Sequence, residues 1–552
     1  MHPALPWIVA ALLLLGAGLR LFDLSDQPID FHPTRQLRGA IVARGIYYSL
    51  LPGADPRLQQ QAVAYWNSTG QYEPSFLEAL TALAALATGA DLIVLARVIN
   101  TLFWLVGSLA VFALARRLSN NSREPGERVS PPPAADASLT AADIGALAAL
   151  VTMLALPFLV QASRSFQPDP GMVMWLALFA WALFRWGETK SWKLALASGL
   201  FGGLAILTKA VALYPVALTN LLVVLSAMQA EPDPQPRSAS GTGKAPALGR
   251  LVAALLSPQV WVMGALTVLP VGLFYLGRQG RASEYFDSWT IALSHLLLEP
   301  GFYLGWLDLA QQLYTPLALL AALAGAGLVI RRALRKQGPP QAGLQAALLS
   351  GLWAGYLLYG LFFPYQMDTH SYYHLPLAPI IALSLAPAAA WLAGWLIDAF
   401  HHRPALQRWR PLGWLAGVAA LGALLAWLSW QALIPLYSAD YRGEPAYWQS
   451  IAQQIPADGK VIALTQDYGY RLMYYGWRKV SLWPNRGEIK LSILRGSPKE
   501  FEDFFNKRTD GKDYFLITAF RQFEDQPELQ QMLAAHYPLL AEGSGYRIYD
   551  LR

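Results

Sequence analysis

The chain has 552 residues, 55% of them hydrophobic and only 14% charged, with a mean hydropathy of +0.31. Soluble proteins carry about a quarter charged residues, so the shortfall points to long apolar runs and a polytopic membrane protein. The net charge of +6 sits in short loops between apolar runs, which sets nucleic acid aside as a partner, and the absence of cysteine excludes disulfides, thiolate zinc sites and cysteine nucleophiles.

The first apolar run, 7–22, has no basic region before it and no small-x-small cleavage site after it. It reads as a retained membrane helix. Residues 23–91 form a polar, acid-rich outer loop whose amphipathic pieces, 36–48 and 56–66, would lie on the membrane surface. Further membrane helices are expected at 92–115, 144–162, 172–186, 194–207, 211–228, 251–276, 316–330, 344–363, 375–396 and 414–433. Arg and Lys follow the even-numbered helices, whereas acids, His and Tyr follow the odd-numbered ones. This alternation predicts about eleven spans with the N-terminus inside and the C-terminus outside, in the cell (inner or plasma) membrane.

The fold class is therefore an all-α polytopic membrane domain over residues 1–435 and a small soluble α/β domain over 436–552, on the extracytoplasmic side. In the tail, apolar runs at 461–465, 479–483, 514–518 and 546–550 read as strands. Helical patterns at 448–454, 468–475, 500–507 and 527–536 lie between them, which suggests a parallel sheet. The tail has neither a glycine-rich phosphate loop nor a G-x-S-x-G sequence, so it is expected to bind or position a substrate rather than react with it.

The residues with chemical potential converge on the outer side. Asp30, His32, Arg35, Glu73, Arg164, Asp169, Lys209, Arg278, Asp368, His370 and His374 fall at outer helix ends or in outer loops, and the helix interiors hold little charge. A transporter would carry ionisable groups near the midplane, whereas an enzyme acting on a lipid headgroup keeps its site at the interface. Reaction at a lipid phosphate needs a carboxylate base and cations for the leaving phosphate. Asp30, Glu73 and Asp169 supply the first; Arg35, Arg164, Lys209 and Arg278 supply the second.

Each residue also has a plainer reading. Glu73 before Pro74 could start a helix, Asp169 between prolines could shape a turn, and Lys209 could snorkel to the surface. His32 before Pro33 could hydrogen-bond locally. His370 and His374 have the i, i+4 spacing of a metal pair, and Tyr372 and Tyr373 suit either an interfacial belt or sugar stacking.

Several short motifs, in order, resemble the type C superfamily of polytopic membrane glycosyltransferases. They are His32-Pro33-Thr34-Arg35-Gln36 with Ala40-Ile41-Val42-Ala43-Arg44, Tyr72-Glu73-Pro74-Ser75, Arg97, Pro168-Asp169 and Tyr372-Tyr373-His374-Leu375-Pro376. The branch they are most similar to includes dolichyl-phosphate-mannose protein mannosyltransferases and the bacterial aminoarabinose lipid A transferase. The motifs cover residues 1–435. The resemblance implies transfer of a sugar from a polyprenyl-phosphate donor to a hydroxyl of a glycolipid or protein acceptor, on the outer face, with inversion. It maps the catalytic carboxylate to Asp30, acting alone, with Glu73 or with Asp169. Arg35, Lys209 and Arg278 would hold the phosphate, with Arg164 and His32 beside them, and Tyr373 and His374 would shape the donor pocket. Some relatives use a divalent cation and others do not; Asp30 and Asp169 are the carboxylates that would hold one. The rival readings are a polyprenyl-lipid transporter or flippase and a non-catalytic scaffold of envelope assembly.

Overall fold

A computed structural model describes residues 2–70, 73–120, 139–228, 252, 255–276, 287–335, 341–402, 409–496 and 500–552. Helix α1, Leu5–Leu21, leads into the first loop, which is itself helical: α2 (Pro33–Leu50), α3 (Pro56–Ser68) and α4 (Phe76–Thr88). The first two match the amphipathic pieces read from the sequence. The third, α4, lies in a stretch expected to be polar loop. Asp55 caps α3, accepting from the backbone N–H of Arg57 at 2.8 Å. Asp91 caps α5 (Leu92–Ser119) in the same way, through Ile93 and Val94.

The helix expected at 144–162 is two helices, α6 (Ala141–Ala155) and α7 (Pro157–Arg164), bent by 58°. Pro157 causes the break: it lacks an N–H, and it drives Leu156 into the extended region, at ψ 128°. Then follow α8 (Asp169–Thr189), α9 (Trp192–Thr208), α10 (Leu213–Ala227), α11 (Pro258–Leu276), α12 (Pro300–Tyr314), α13 (Pro316–Leu334), α14 (Ala342–Phe362), the short α15 (Pro364–Thr369), α16 (Leu377–His402) and α17 (Arg410–Ser438).

Among the described residues, seven helices are long and apolar enough to cross a membrane, or eight if α6 and α7 count as one bent span. The expectation of eleven counted shorter apolar helices as full spans. Leu5–Leu21 and Trp192–Thr208 are apolar but short. The interior is made by α5, α6, α8 and α16, whose apolar residues share one large core. By contrast, Pro258–Leu276 and Leu415–Ser438 bury only 11% of their apolar windows, so their Leu, Val and Trp side chains face outward. Small residues permit the closest contact. A methyl group on Gly351 of α14 would come within 2.4 Å of Thr219 Cα, and one on Gly355 within 2.3 Å of Pro215 Cα. Helices α10 and α14 therefore touch backbone to backbone.

The tail holds helices at Glu444–Gln453 (α18) and Tyr470–Tyr475 (α19) and strands β1 (Val461–Leu464), β2 (Ser481–Leu482), β3 (Tyr514–Ile517), β4 (Leu539–Gly543) and β5 (Tyr546–Asp550). The strand order is β2-β1-β3-β5-β4. The pairs β1/β2 and β1/β3 are parallel, while β3/β5 and β4/β5 are antiparallel. The sheet is thus mixed, not parallel. The discrepancy comes from β4, an edge strand with exposed Leu539 and Leu540 and no buried run to mark it. One face of the sheet packs under Trp483, Phe505, Leu529 and Leu533. The other packs with Trp448, Ile451 and Tyr475, and Ile29 and Leu37 of the first loop join that same cluster. The tail is built onto the first loop.

Arg44 fastens this seam. Its guanidinium donates to the carbonyls of Met473 and Tyr474, at 2.9 and 2.5 Å, and lies 3.9 Å from the Trp477 ring centroid. A lysine has neither the fork nor the planar face. Arg44→Ala is expected to cost about 2–4 kcal/mol through lost charge-assisted hydrogen bonds and stacking. Arg44→Lys should recover little of it. The check is the unfolding midpoint of the detergent-purified protein; a midpoint unchanged in Arg44→Ala would show that Arg44 does not hold the seam.

Candidate active site

Residue His32 opens α2 in the left-handed region, at φ 44° and ψ 66°, with Pro33 as the first helical residue. Pro33 disfavours the helical region for the residue before it, so the turn is set locally. The backbone reversal places Asp30 and Arg35 on two adjoining sets of side chains.

The first set is a clamp. Asp30 Oδ2 lies 3.3 Å from Arg97 Nη2 and 3.1 Å from Arg164 Nη1. Gln36 Nε2 donates to its other oxygen at 2.9 Å. Both arginines are fully buried and donate further to backbone carbonyls, although Arg97 Nε has no partner among the described residues. Arg97 donates to the carbonyls of Leu24, Asp26 and Gln27. Arg164 donates to those of Arg20, Phe22 and Asp23. Gln36 also accepts from the backbone N–H of Phe166, and Asn100 donates to the carbonyls of Ser165 and Gln167. The clamp thereby fixes the turn that delivers Asp169.

The second set is a basin of opposite charges under aromatic rings. Asp169 is the first residue of α8, where a carboxylate suits the helix dipole, and its Oδ1 accepts from Lys209 Nζ. Both are buried. Lys209 Nζ lies 4.8 Å from the ring centroids of both Tyr372 and Tyr373. Arg35 stands over Tyr372 at 4.9 Å and donates from Nε to its hydroxyl at 3.3 Å. His32 Nε2 pairs with Ser371 Oγ at 2.7 Å, and its ring meets Tyr372 edge-on. His370 packs against both tyrosines. Glu73 lies within electrostatic reach of Arg35 and Lys209. From the tail, Asp467 accepts from the Thr34 hydroxyl at 3.0 Å, so the sheet domain reaches the rim.

Burial sets the protonation states. It pushes His32 down to about 4, with His370 and the cations Arg35 and Lys209 adding to the effect and Asp169 opposing it. Burial, then Arg35 and Lys209, push His370 down to about 4. Burial also lowers Lys209, with Asp169 opposing. The basin therefore holds neutral imidazoles beside fixed cations.

Of the residues put forward from the sequence, Glu73, Asp169, His32, Arg35, Lys209 and Tyr373 meet in the basin. Asp30 and Arg164 belong to the adjoining clamp. Lys209 does not snorkel; it points inward at Asp169. His374 is elsewhere: fully buried, it pairs through Nδ1 with Tyr356 and through Nε2 with the Met367 carbonyl. It makes no metal pair with His370. Arg278 lies outside the described residues. Among the described residues no group of three or more His, Cys, Asp or Glu side chains could hold a metal ion. Asp30 is already met by two guanidiniums and Asp169 by an ammonium, so this donor set does not fit the divalent cation the two were expected to share. The partners missed were Asn100 and Ser371; Gln36 entered only within a family motif, and Tyr372 only as a belt or sugar-stacking residue. Arg97 entered only as a family motif. An arginine within an apolar helix is costly without a partner, and that signal was available.

Residues 138–231, the segment that carries Arg164, Asp169 and Lys209, match the family described as dolichyl-phosphate-mannose-protein mannosyltransferase. No curated protein matches the chain in sequence. The crystal structure of ArnT from Cupriavidus metallidurans bound to undecaprenyl phosphate is similar in fold, with a TM-score of 0.54 at 17% identity over 99% of this chain and 98% of that one. The apo structure of the same protein gives 0.55 at 16%, over 99% and 98%. The archaeal oligosaccharyltransferase AglB from Archaeoglobus fulgidus, in complex with an inhibitory peptide and a dolichol-phosphate, gives 0.53 at 12%, over 96% of this chain and 70% of that one. A segment of the chain thus matches the mannosyltransferase family, and the fold is shared with both solved proteins. The fold likeness extends through the tail, beyond the residues that carried the motifs.

Two outcomes follow from the geometry. Asp30→Ala leaves two buried guanidiniums facing each other and should cost about 3–5 kcal/mol, read as a lower thermal midpoint. An unchanged midpoint would contradict the clamp. His32, His370 and His374 each titrate near 6.5 when unfolded but are held down to about 4 in the fold. Between those values the unfolded chain takes up protons that the folded one refuses. Stability should fall as pH drops from 6.5 towards 4, and the slope should flatten in His32→Gln with His370→Gln.

Proposed function

We propose that the chain is an integral membrane glycosyltransferase that moves a sugar from a polyprenyl-phosphate donor to an acceptor hydroxyl, with inversion, on the outer face of the membrane. The observation that carries this reading is the meeting of Asp169 and Lys209, both in the segment that matches the mannosyltransferase family, with Arg35 of the first loop under two tyrosine rings. The outer side is inferred from the acid-rich first loop against the basic loops, and the tail shares the basin's side because it packs on that loop.

In this reading Arg35 and Lys209 receive the lipid phosphate. Their charge is fixed before the reaction and stabilises the phosphate as the anomeric bond breaks. The acceptor hydroxyl attacks the anomeric carbon from the opposite side, and its proton passes to a carboxylate. The resemblance assigns that base to Asp30. The geometry favours Asp169, with Glu73 on the same basin. Both Asp30 oxygens are engaged by Arg97, Arg164 and Gln36, whereas among the described residues Asp169 Oδ2 accepts no hydrogen bond. Asp30 then acts by holding α2, and with it Arg35, against the turn that presents Asp169. Fixed cations answer the carboxylates throughout, and no step uses a divalent ion.

The test is turnover of radiolabelled polyprenyl-phosphate monosaccharides by purified protein, with water or an envelope extract as acceptor. Asp169→Asn should lower kcat by about 10²–10⁴-fold, the contribution of a positioned base. Arg35→Ala should raise KM for the donor and weaken binding of polyprenyl phosphate. Asp30→Asn should keep most turnover per folded molecule. If Asp169→Asn turns over normally while Asp30→Asn does not, the base is Asp30. Tight binding of polyprenyl phosphate without release of label from any donor would instead favour a lipid transporter or a scaffold.

A further inference from the structure

The tail reaches the rim of the basin through a turn at residues 466–469, between β1 and α19. The turn is strained. Asp467, Tyr468 and Gly469 lie one after another in the left-handed region, at φ 50°, 53° and 72°. Residues with a side chain seldom enter that region, and then singly. Gly469 is also required by space, since a methyl group there would come within 2.6 Å of Val480 Cγ2. Asp467 and Tyr468 stay in it only because their surroundings hold them.

The holding bonds lie on Asp467 and Gln466. Asp467 accepts from the Thr34 hydroxyl at 3.0 Å and from Arg471 Nε at 2.5 Å, and Arg471 reaches Glu444 of α18 at 3.2 Å. Gln466 donates to the Thr518 carbonyl at 3.0 Å and accepts from the Thr518 hydroxyl at 2.7 Å. Tyr468 is different. Its side chain is 47% exposed, and its hydroxyl makes no hydrogen bond among the described residues. It stands at the mouth of the basin. Thr34 directly precedes Arg35, and Tyr468 is within electrostatic reach of Tyr372, whose hydroxyl Arg35 meets. It is equally within reach of Tyr365, whose ring lies 6.1 Å from that of His370. Partial burial, then Glu488 and the neighbouring tyrosines, push the phenol up to about 12, so it stays a hydrogen-bond donor at neutral pH.

We propose that Tyr468 is a positioning residue for the acceptor, and that it tilts transfer of the sugar towards the acceptor hydroxyl and away from water. The proposal rests on the glycosyltransferase reading. A lipid donor comes to Arg35 and Lys209 from among the membrane helices, whereas Tyr468 is presented by the sheet domain. A group held by Tyr468 therefore approaches from the tail's side, where the donor lipid does not lie. In both reactions the bond from the anomeric carbon to the phosphate oxygen breaks and a bond to the entering oxygen forms. The proton of that oxygen goes to the basin's carboxylate, and only the source of the oxygen differs. The tyrosine offers the acceptor an apolar ring face and an unpaired hydroxyl. Holding the acceptor there raises its effective concentration against water. A turn already fixed by Asp467 and Gln466 loses little freedom when the acceptor arrives.

The test uses the full chain in nanodiscs, a panel of radiolabelled polyprenyl-phosphate monosaccharides, and an organic-solvent extract of the envelope as acceptor. Label in the extract and label in free sugar are counted on the same sample. Their ratio should fall about tenfold in Tyr468→Ala, which loses ring and hydroxyl, and about threefold in Tyr468→Phe, which loses one hydrogen bond. A merely structural role would lower both labels together. An unchanged ratio in Tyr468→Ala would overturn the proposal, and so would a wild type that labels only free sugar with the extract present. No release of label from any donor by the wild type would sink the transferase reading and Tyr468 with it. An unchanged ratio beside normal release would strike Tyr468 alone.

Discussion

The fold of the first loop depends on one interaction: a single carboxylate, Asp30, between two buried guanidiniums, Arg97 and Arg164. Two cations in apolar surroundings are unfavourable unless their donors are filled. Here most of the donors, though not Arg97 Nε, are filled by one acid and by carbonyls between residues 20 and 27, which a loop between helices would otherwise leave to water. The same bonds thus neutralise the arginines and fold the loop. They also fix where α2 begins, and every other feature of the site is measured from that point.

The basin inherits its geometry from this clamp. Gln36 joins Asp30 to the turn at Phe166, and the turn leads directly into Asp169. Arg35, one residue before Gln36, is thereby carried over Tyr372. The basin repeats the clamp's logic with less closure. Asp169 and Lys209 offset one another, and Arg35 and Glu73 face the same space. The clamp consumes its charges on protein groups, whereas the basin keeps some for a ligand. That difference, between two sets built from the same residue types, is why the basin and not the clamp is put forward for chemistry.

The tail is tied to this arrangement and is not a free appendage. Ile29 and Leu37 sit in the core of its sheet, Arg44 grips its backbone, and Asp467 reaches the basin's rim through Thr34. A substrate held on the tail would therefore be held at a fixed place relative to the basin.

Much of this was legible in the sequence because it rests on local or compositional physics. Apolar runs of 20 or so residues need no partner to declare themselves. Amphipathic spacing marked α2 and α3, and Glu73 before Pro74 marked the start of a helix. The bias of acids, histidines and tyrosines to one set of loops named four of the basin residues, and the search for phosphate-binding cations named Arg35 and Lys209. Most failures share a cause. The exposed strand β4 and the burial of short helices depend on what packs against them, whereas the bend at Pro157 is a local signal that was passed over. Nothing local distinguishes Asp30 from Asp169: each is an acid at an outer helix end. Only the tertiary structure decides that two guanidiniums enclose the first and one lysine meets the second, because charge pairs over 40 to 130 residues of sequence are set by helix packing and leave no periodicity in the chain. The sequence by itself determined the solvent each segment prefers and the inventory of charges at the interface. Which charge faces which was decided by the fold, because a buried charge persists only where packing brings it a partner.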